Sequence, residues 1–579
     1  MGVEAIEVPS SVSGPSNVVR RSWLAIRRII GAHRAMAAVC GAFLVAVFIV
    51  PVRTNVAIVD DWVYIREAQT FALHLHVHIL DQTGATAIFE TFWGGLFGIV
   101  LGTQLWVFRL STVVLSFIGG LAMYGVCREL GTSKRLSAIG AGLLLFNPLY
   151  FVLTYTFMTD AHFVALSVLA TYGYLKGLDT SAVHAQRWTW VASGFAALAY
   201  LSRPQGALIP VGVIVTLALS RQLKINRASL GRVVQVALIP LLVFAIHQWW
   251  LRAFNGVPPA QEAFAHDLVN MPLRDAASLV TRMTGIEGAY AGLFLLPLVI
   301  AIVLALRSIV STIRWQGWVL AGVSAALLLG VAGHFATQGR QMPYVQSSPG
   351  MGVWGLGTDS VVGSRPPLFS HRFFDGLTVV ALIGFAIVAL VLARAIFDRT
   401  LQHRLGAGLV GALLVMMALG AIPPSAHIRD TFDRYLVPLL PFVIALAIWA
   451  VQGLRRIPFV MPISIALMAV VCVIGTRDSL VFEKAVWKMA DHANAIGIPN
   501  TELDAGAART RYFLANQAPK VALAPGAAQP WWVWTDGATT GRYLISVTPF
   551  PGYEIIDSAP IDEWVTPHPV RVYLLRLIG

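Results

Sequence analysis

Charge is what this chain has least of. Asp, Glu, Lys and Arg make up 12% of its 579 residues, where a soluble protein carries roughly 25%. Water is therefore not the solvent for most of it. Cysteine is almost absent: Cys40, Cys127 and Cys472 all lie in or at the ends of apolar segments. They show no metal spacing and cannot build a disulfide framework, which leaves packing as their role. A phosphate-cradling Gly-x4-Gly-Lys-Ser/Thr loop is missing as well, so neither ATP nor a nucleotide sugar has an evident seat. Gly350-Met351-Gly352-Val353-Trp354-Gly355 matches the dinucleotide glycine pattern. It follows no strand and opens no βαβ unit, so the match is accidental.

What the chain has in quantity is apolar sequence, 57% of it. A bilayer span needs about 20 such residues. Thirteen candidates occur, near 35–52, 107–127, 136–153, 161–177, 189–202, 204–220, 232–251, 289–306, 317–335, 376–393, 405–422, 435–452 and 458–475. The fifth and sixth are short and meet at Ser202-Arg203-Pro204, which reads as a tight helical hairpin because the residue before proline avoids the helical region. Arg20, Arg21, Arg27, Arg28 and Arg34 precede the first run and suggest a signal anchor rather than a cleaved leader.

The net charge of +13 reports orientation, not a nucleic-acid partner. Arg128, Lys134 and Arg135, then Arg221, Lys224, Arg227 and Arg232, share the side of the basic N-terminus. Arg307/Arg314, Arg394/Arg399/Arg404 and Arg455/Arg456 fall there too, with only Glu129, Asp179 and Asp398 as acids. By the positive-inside rule that side is the cytoplasm. The opposite side receives Asp60, Asp61, Glu67, Asp81, Glu90, Asp160, Glu262, Asp267, Asp275, Glu287, Asp359, Asp375, Asp430 and Asp433. Thirteen crossings then leave the C-terminus outside the cell membrane.

Three outer loops are long. Within residues 53–106, the apolar stretch Ala85–Thr103 reads as a helix in the interface, since a further span would invert every later loop. Residues 252–288 look partly helical, and residues 336–375 form an irregular flap rich in Gly, Pro and Ser. After Gly475 the composition changes. An amphipathic helix (Leu480–Ile496) and β-like runs at Lys520–Ala524, Arg542–Thr548 and Val570–Leu577 predict a small soluble α/β domain. The fold class is thus an all-α polytopic membrane protein of about thirteen transmembrane helices. It divides into a basic cytoplasmic segment (1–34), the membrane domain (35–475) and the outer α/β domain (476–579).

Several polar residues sit where packing does not call for them. Asp60-Asp61-Trp62-Val63-Tyr64 opens the first outer loop at the membrane surface, where a partly buried acid can serve as a general base. Asp160 joins two spans with almost no loop, and capping the next helix is as good a reading as chemistry. Arg203 at the hairpin tip either snorkels to headgroups or binds a lipid phosphate with its fork. His427 to Pro438 crowds charges before a span. Its Arg434-Tyr435 pair suits either an interfacial anchor or a headgroup pocket. His74, His76 and His78 alternate near Asp81, and His74 with His78 is the weak candidate for a metal site, no Cys or Glu completing it.

An acidic pair in the first outer loop, Thr159-Asp160 after the third span, Arg203-Pro204 at a hairpin and Arg434-Tyr435-Leu436-x-Pro438 opening a late span resemble the GT-C glycosyltransferases. The nearest branch is the protein mannosyltransferase and aminoarabinose transferase superfamily. The resemblance covers about residues 35–475 through the order and shared sidedness of these motifs. It implies transfer of a sugar from a polyprenyl phosphate carrier to an acceptor on the outer face, usually with inversion. It makes Asp60 the catalytic acid of the first loop, Asp61 its neighbour, and Glu90 the acid of the interfacial segment. Where aminoarabinose-type members continue Lys-Pro-Pro, Thr91-Phe92-Trp93 stands here, and Val63 replaces an Arg before the tyrosine. That shifts the expected carrier-phosphate contacts to Arg203 and Arg434, with Tyr435 and Glu90 beside them. Asp60, Asp61 and Asp160 are the expected catalytic set. A divalent cation is left open as cofactor, and the acceptor is a protein, lipid or polysaccharide. The rival reading is a secondary transporter or flippase, but such carriers show internal repeats and mid-membrane sites, whereas here the acids gather at one surface.

Overall fold

A computed structural model describes residues 31–178, 184–304, 306–311, 313–343, 351–357, 361–363, 365–397, 403–428, 432–452, 457–515, 521–530, 532–533, 539–566 and 568–578. Arg20, Arg21, Arg27, Arg28, Asp179, Gly350, Asp359, Asp398, Arg399, Arg429, Asp430, Arg455, Arg456 and Lys520 lie outside the described residues.

Each of the thirteen apolar runs meets a helix. The described residues open with α1 (Arg34–Ile49), then α2 (Asp61–His74) and α3 (Ile88–Leu101) in the first long loop. There follow α4 (Leu105–Glu129), α5 (Lys134–Leu145), α6 (Pro148–Thr154), α7 (Thr159–Leu178), α8 (Ala185–Ser202), α9 (Leu208–Leu219) and α10 (Arg227–Trp250). Next come α11 (Pro259–Val269), α12 (Leu273–Phe294), α13 (Leu296–Val303), α14 (Trp315–Gln338), α15 (His371–Phe397) and α16 (Arg404–Gly420). The membrane part ends with α17 (Leu440–Ala450) and α18 (Ile457–Ala495). Among the described residues, seven helices are long and apolar enough to cross a bilayer, nine if each bent pair is one span. The rest of the expected thirteen are the short α1 and α9 and the less apolar α7 and α8. α7 buries Ser167 and Thr171, and α8 buries Ser193, whose hydroxyl donates to the Val236 carbonyl of α10 at 2.8 Å, so these helices need not be apolar all round to sit inside a bundle.

Two bends have local causes. α5 and α6 meet at 62°, where Asn147 is extended before Pro148 and its side chain accepts from the N–H groups of Leu149 and Tyr150. A proline with a capping asparagine starts a new helix in a new direction. α12 and α13 meet at 71°, with Pro297 in the first turn after the break.

The hairpin tip is built as the sequence suggests. Arg203 is extended (φ −143°, ψ 144°) before a short 3-10 turn, Pro204–Ala207. A Cβ on Gly206 would stand 2.2 Å from the Tyr200 backbone nitrogen, so only glycine lets the turn fold back this tightly. The first long loop is laced to this tip: Ala87 N–H donates to the Ser202 carbonyl (3.2 Å) and the Thr86 hydroxyl to that of Tyr200 (2.6 Å). α3, with 14 residues, is too short to span, as expected for an interface helix.

The C-terminal region departs from expectation in its connection. The last span and the amphipathic helix are one unbroken 39-residue helix, α18, since a change in composition does not itself end a helix. The flap carries the short strands β1 (Met351–Gly352) and β2 (Gly355–Leu356), and beyond α18 lies a four-stranded sheet of β3 (Leu503–Asp504), β4 (Tyr543–Ser546), β5 (Tyr553–Pro560) and β6 (Arg571–Leu577), in the order β3-β4-β6-β5, plus the helix α19 (Gly506–Leu514). Residues 521–524 are not a strand, and the longest strand, β5, was not expected. The flap joins this sheet through Val362, which bridges Ser546. Its Met351–Leu356 segment is a tight antiparallel hairpin, consistent with an accidental glycine match.

Candidate active site at the head of the bundle

Val59 has φ +52°, a left-handed conformation that a β-branched residue adopts only under constraint. The constraint is Asp61. Its Oδ1 accepts from the Ile58 N–H (2.6 Å) and its own N–H donates to the Ile58 carbonyl (3.1 Å). Its Oδ2 accepts from the Phe157 N–H at 3.1 Å, just ahead of α7. Asp61 thus clamps the strained turn and ties it to the segment carrying Asp160. Burial pushes its carboxyl up to about 7, against the pull of Arg109. Beneath it, Arg109 of α4 donates to the carbonyls of Val52, Thr54 and Val56. This isolated intramembrane cation was not singled out in the sequence, although a charge inside a span is the usual signal for one.

The clamp leaves Asp60 at the first turn of α2 with 27% of its side chain exposed. No helix N–H takes its carboxylate. Instead Oδ2 pairs with Arg434 Nη2 at 2.9 Å and Oδ1 with Arg511 Nη1 at 3.3 Å. Arg434 comes from the 3-10 turn Asp433–Leu439 ahead of α17, and Arg511 from α19 of the C-terminal module. Beside them Asp160, 1% exposed, holds the guanidinium of Arg203 in an ion pair. Arg203 is buried rather than snorkelling, and Asp160 in the first turn of α7 also faces the positive end of that helix. Tyr435 lies under both cations, its ring 5.9 Å from Arg203 and 5.6 Å from Arg434. Tyr64 sits within electrostatic reach of Asp60, Asp160, Arg203 and Arg434 alike. Residues more than 370 positions apart are therefore joined in one cluster.

Glu90, fully buried on α3, accepts from the Ser202 hydroxyl, and His162 stands 4.0 Å away. It supports the hairpin tip from below Arg203. Glu67 of α2 accepts from the Leu80 N–H (2.9 Å) and the Thr83 hydroxyl (2.5 Å). Loss of water pushes Glu67 up to about 8, the hydrogen bonds from Thr83 and Leu80 pulling the other way. A carboxyl raised on folding binds more protons folded than unfolded, so its stabilising effect is present at low pH and lost as pH rises from the ordinary carboxylate range through about 8. We expect Glu67→Gln to flatten the fall in thermal midpoint between about pH 5 and about pH 8.5. An unchanged slope in that variant refutes the assignment.

The two candidate metal residues sit on separate segments. His74 ends α2, while His78 shares a 3.2 Å hydrogen bond with Asn255. Among the described residues no group of three or more His, Cys, Asp or Glu is arranged to hold a metal ion. Sequence reasoning missed Arg511, Tyr64 and Ser202. Only Tyr64 carried a signal, its place one turn after the acidic pair.

Residues 85–250 match the family model described as dolichyl-phosphate-mannose-protein mannosyltransferase. That segment runs from the interface helix through the Asp160 and Arg203 motifs to the end of α10. No curated protein matches the chain. Among solved structures it is similar to ArnT from Cupriavidus metallidurans bound to undecaprenyl phosphate, at 15% identity and TM-score 0.44, over 94% of this chain and 98% of that one. It is similar to the archaeal oligosaccharyltransferase AglB from Archaeoglobus fulgidus, in complex with an inhibitory peptide and a dolichol-phosphate, at 14% identity and TM-score 0.39, over 81% and 60%. For the mycobacterial arabinofuranosyltransferase AftD the values are 12%, 0.36, 94% and 40%.

Proposed function

We propose that this chain, a membrane protein of the GT-C glycosyltransferase kind, moves a sugar from a polyprenyl phosphate carrier to an acceptor hydroxyl at the outer face of the cell membrane. The observation that carries the reading is the cluster of Asp60 with Arg434 and Asp160 with Arg203 at one end of the bundle. Carboxylates and guanidiniums at a lipid-lined surface suit a reaction that frees a proton and a phosphate together. The family description, naming a dolichyl-phosphate sugar, supports the donor class.

In the proposed reaction the acceptor hydroxyl gives its proton to Asp60 and its oxygen bonds to the anomeric carbon from the face opposite the phosphate. The bond from that carbon to the phosphate oxygen breaks, and its electron pair leaves with the polyprenyl phosphate. The donor is already activated, so no nucleotide is consumed. Arg434 and Arg203 hold the charge that develops on the leaving phosphate, where a planar fork meets two oxygens at once. Tyr435 keeps both forks in place. Asp61 and Glu90 act by position, the first through the Val59 turn and the second through Ser202. The N-terminus is cytoplasmic and residues 476–579 form the outer domain in this reading.

The test is transfer itself. Purified full-length protein receives polyprenyl-phosphate sugar labelled in the sugar, with envelope fractions as acceptor. Label is expected to leave the lipid phase for the acceptor with release of polyprenyl phosphate. Movement of intact labelled lipid or sugar across proteoliposomes without a new glycosidic bond would replace this reading by the transporter.

A further inference from the structure

Helices α11 and α12 join through a turn at residues 270–272, and the elbow they make holds a cleft of about 530 Å³. That volume lies in the range of small-ligand sites. Its floor is apolar: Leu279 of α12 and Ala426 of the short helix Ile422–Ile428 are buried there, with Met271 packed against them. Its rim is polar, with Asp267 from α11, Asn270 from the turn, and Asp275 and Arg282 from α12. Asp267 is held in place by two imidazoles. His427 shares a hydrogen bond with one carboxylate oxygen at 2.7 Å, and His266 with the other at 3.3 Å. Each oxygen keeps acceptor capacity beyond that single contact.

The cleft is built against the hairpin tip that carries Arg203. Gln261 of α11 donates to the Ala85 carbonyl at 2.7 Å. The next two residues, Thr86 and Ala87, are bonded to Tyr200 and Ser202 of the tip. Gly84 lies so close to the Phe264 ring of α11 that a Cβ would collide with it, and that ring meets His427 edge-on at 4.7 Å. From the tip itself, Gln205 donates at 3.1 Å to the Gly420 carbonyl, just ahead of the helix that supplies Ala426.

The lining restricts the ligand. Two carboxylates against one guanidinium disfavour a molecule bearing phosphate or carboxylate, since like charges brought together cost affinity. Among the described residues the lining comes from helices and their connecting turn, with no sheet edge for a peptide to extend as a strand. Sugar hydroxyls donate to carboxylates and accept from amide or guanidinium N–H groups, while the C–H face of a sugar ring covers an apolar floor.

We propose that this cleft seats the acceptor, and that the acceptor is a saccharide without acidic groups. Asp267 and Asp275 accept from its hydroxyls, Asn270 donates to them, and the ring lies over Leu279 and Ala426. This rests on the function proposed above and deepens it, giving the acceptor a class and a seat apart from the Asp60 cluster.

Initial rates with labelled polyprenyl-phosphate sugar and full-length protein in nanodiscs test it. Three acceptor preparations are offered: neutral envelope polysaccharide freed of protein and lipid, delipidated envelope protein, and extracted envelope lipid. Label is expected on the polysaccharide; label confined to protein or lipid overturns the proposal. Ser278→Trp, which fills the cleft from its rim, is expected to raise the acceptor KM about tenfold or more while donor KM stays within about twofold. Asp275→Asn is expected to raise acceptor KM about fivefold, the difference between a charge-assisted and a neutral hydrogen bond. Glu262→Gln, on α11 outside the lining, should match wild type. Where Ser278→Trp does not fold, Asp275→Asn decides alone, and an unchanged acceptor KM overturns the proposal. Transfer by wild type, beside a folded Ser278→Trp of equal acceptor KM, overturns this inference and leaves the proposed function standing. Wild type that transfers sugar to none of the three removes the proposed function, and this inference with it.

Discussion

Asp60→Ala is expected to lower sugar transfer by about 10²–10⁴-fold, the contribution of a positioned general base. Insertion and overall fold should persist, because the turn before Asp60 is clamped by Asp61 and not by Asp60 itself, while the thermal midpoint should fall, since the mostly buried Arg434 and Arg511 lose their shared carboxylate. The measurement is initial rate with labelled polyprenyl-phosphate sugar, compared with the abundance of the variant in membranes. The replacement also leaves Arg434 and Arg511 without their shared partner, so a change in donor KM should accompany the fall in kcat. A folded Asp60→Ala variant with full kcat would assign proton removal to another group and leave Asp60 as an ion-pair partner of Arg434 and Arg511 only.

The second large effect is on stability. Arg109 is 1% exposed in α4 and satisfies the carbonyls of Val52, Thr54 and Val56, where the chain crosses from α1 to α2. Its charge also faces buried Asp61. Arg109→Met keeps volume and removes every one of these partners. Three buried carbonyls lose their donor, at about 1–3 kcal/mol for each group left unsatisfied, and Asp61 loses a facing positive charge. A large drop in thermal midpoint is expected, with little folded protein recovered. Arg109→Lys should rescue only part, since one ammonium cannot reach three carbonyls in the same geometry. A stable Arg109→Met protein would show that the loop is held by packing alone.

The order of motifs along the chain foretold much of this cluster. Asp60, Asp160, Arg203 and Arg434 were each legible because charge at a membrane surface is costly and therefore conspicuous. Their pairing was not legible. Whether Arg203 reaches outward to headgroups or inward to Asp160 depends on how the hairpin tip packs against Ala87 and Thr86. Arg511 gave no signal, because an arginine in a water-facing segment resembles any surface arginine until its helix is docked. Asp61 was read as half of an acidic pair, whereas its two oxygens are committed to backbone N–H groups. In the outer module β5 escaped notice for a similar reason: its burial pattern is mostly exposed, without the alternation that announces a half-buried strand. The apolar runs were by contrast readable: each meets a helix, and among the described residues seven to nine spans are long and apolar enough to cross a bilayer.

The 39 residues of α18 form one rod, roughly 58 Å long at 1.5 Å per residue, about twice the hydrocarbon thickness of a bilayer. The module fixed to its far end therefore has no swivel at the membrane surface. A tilt of this rod, from a thicker or thinner lipid environment, is carried as leverage into α19 and the guanidinium it presents. Turnover in nanodiscs of graded acyl length should for that reason vary more in this protein than in one whose outer domain hangs on a flexible tether.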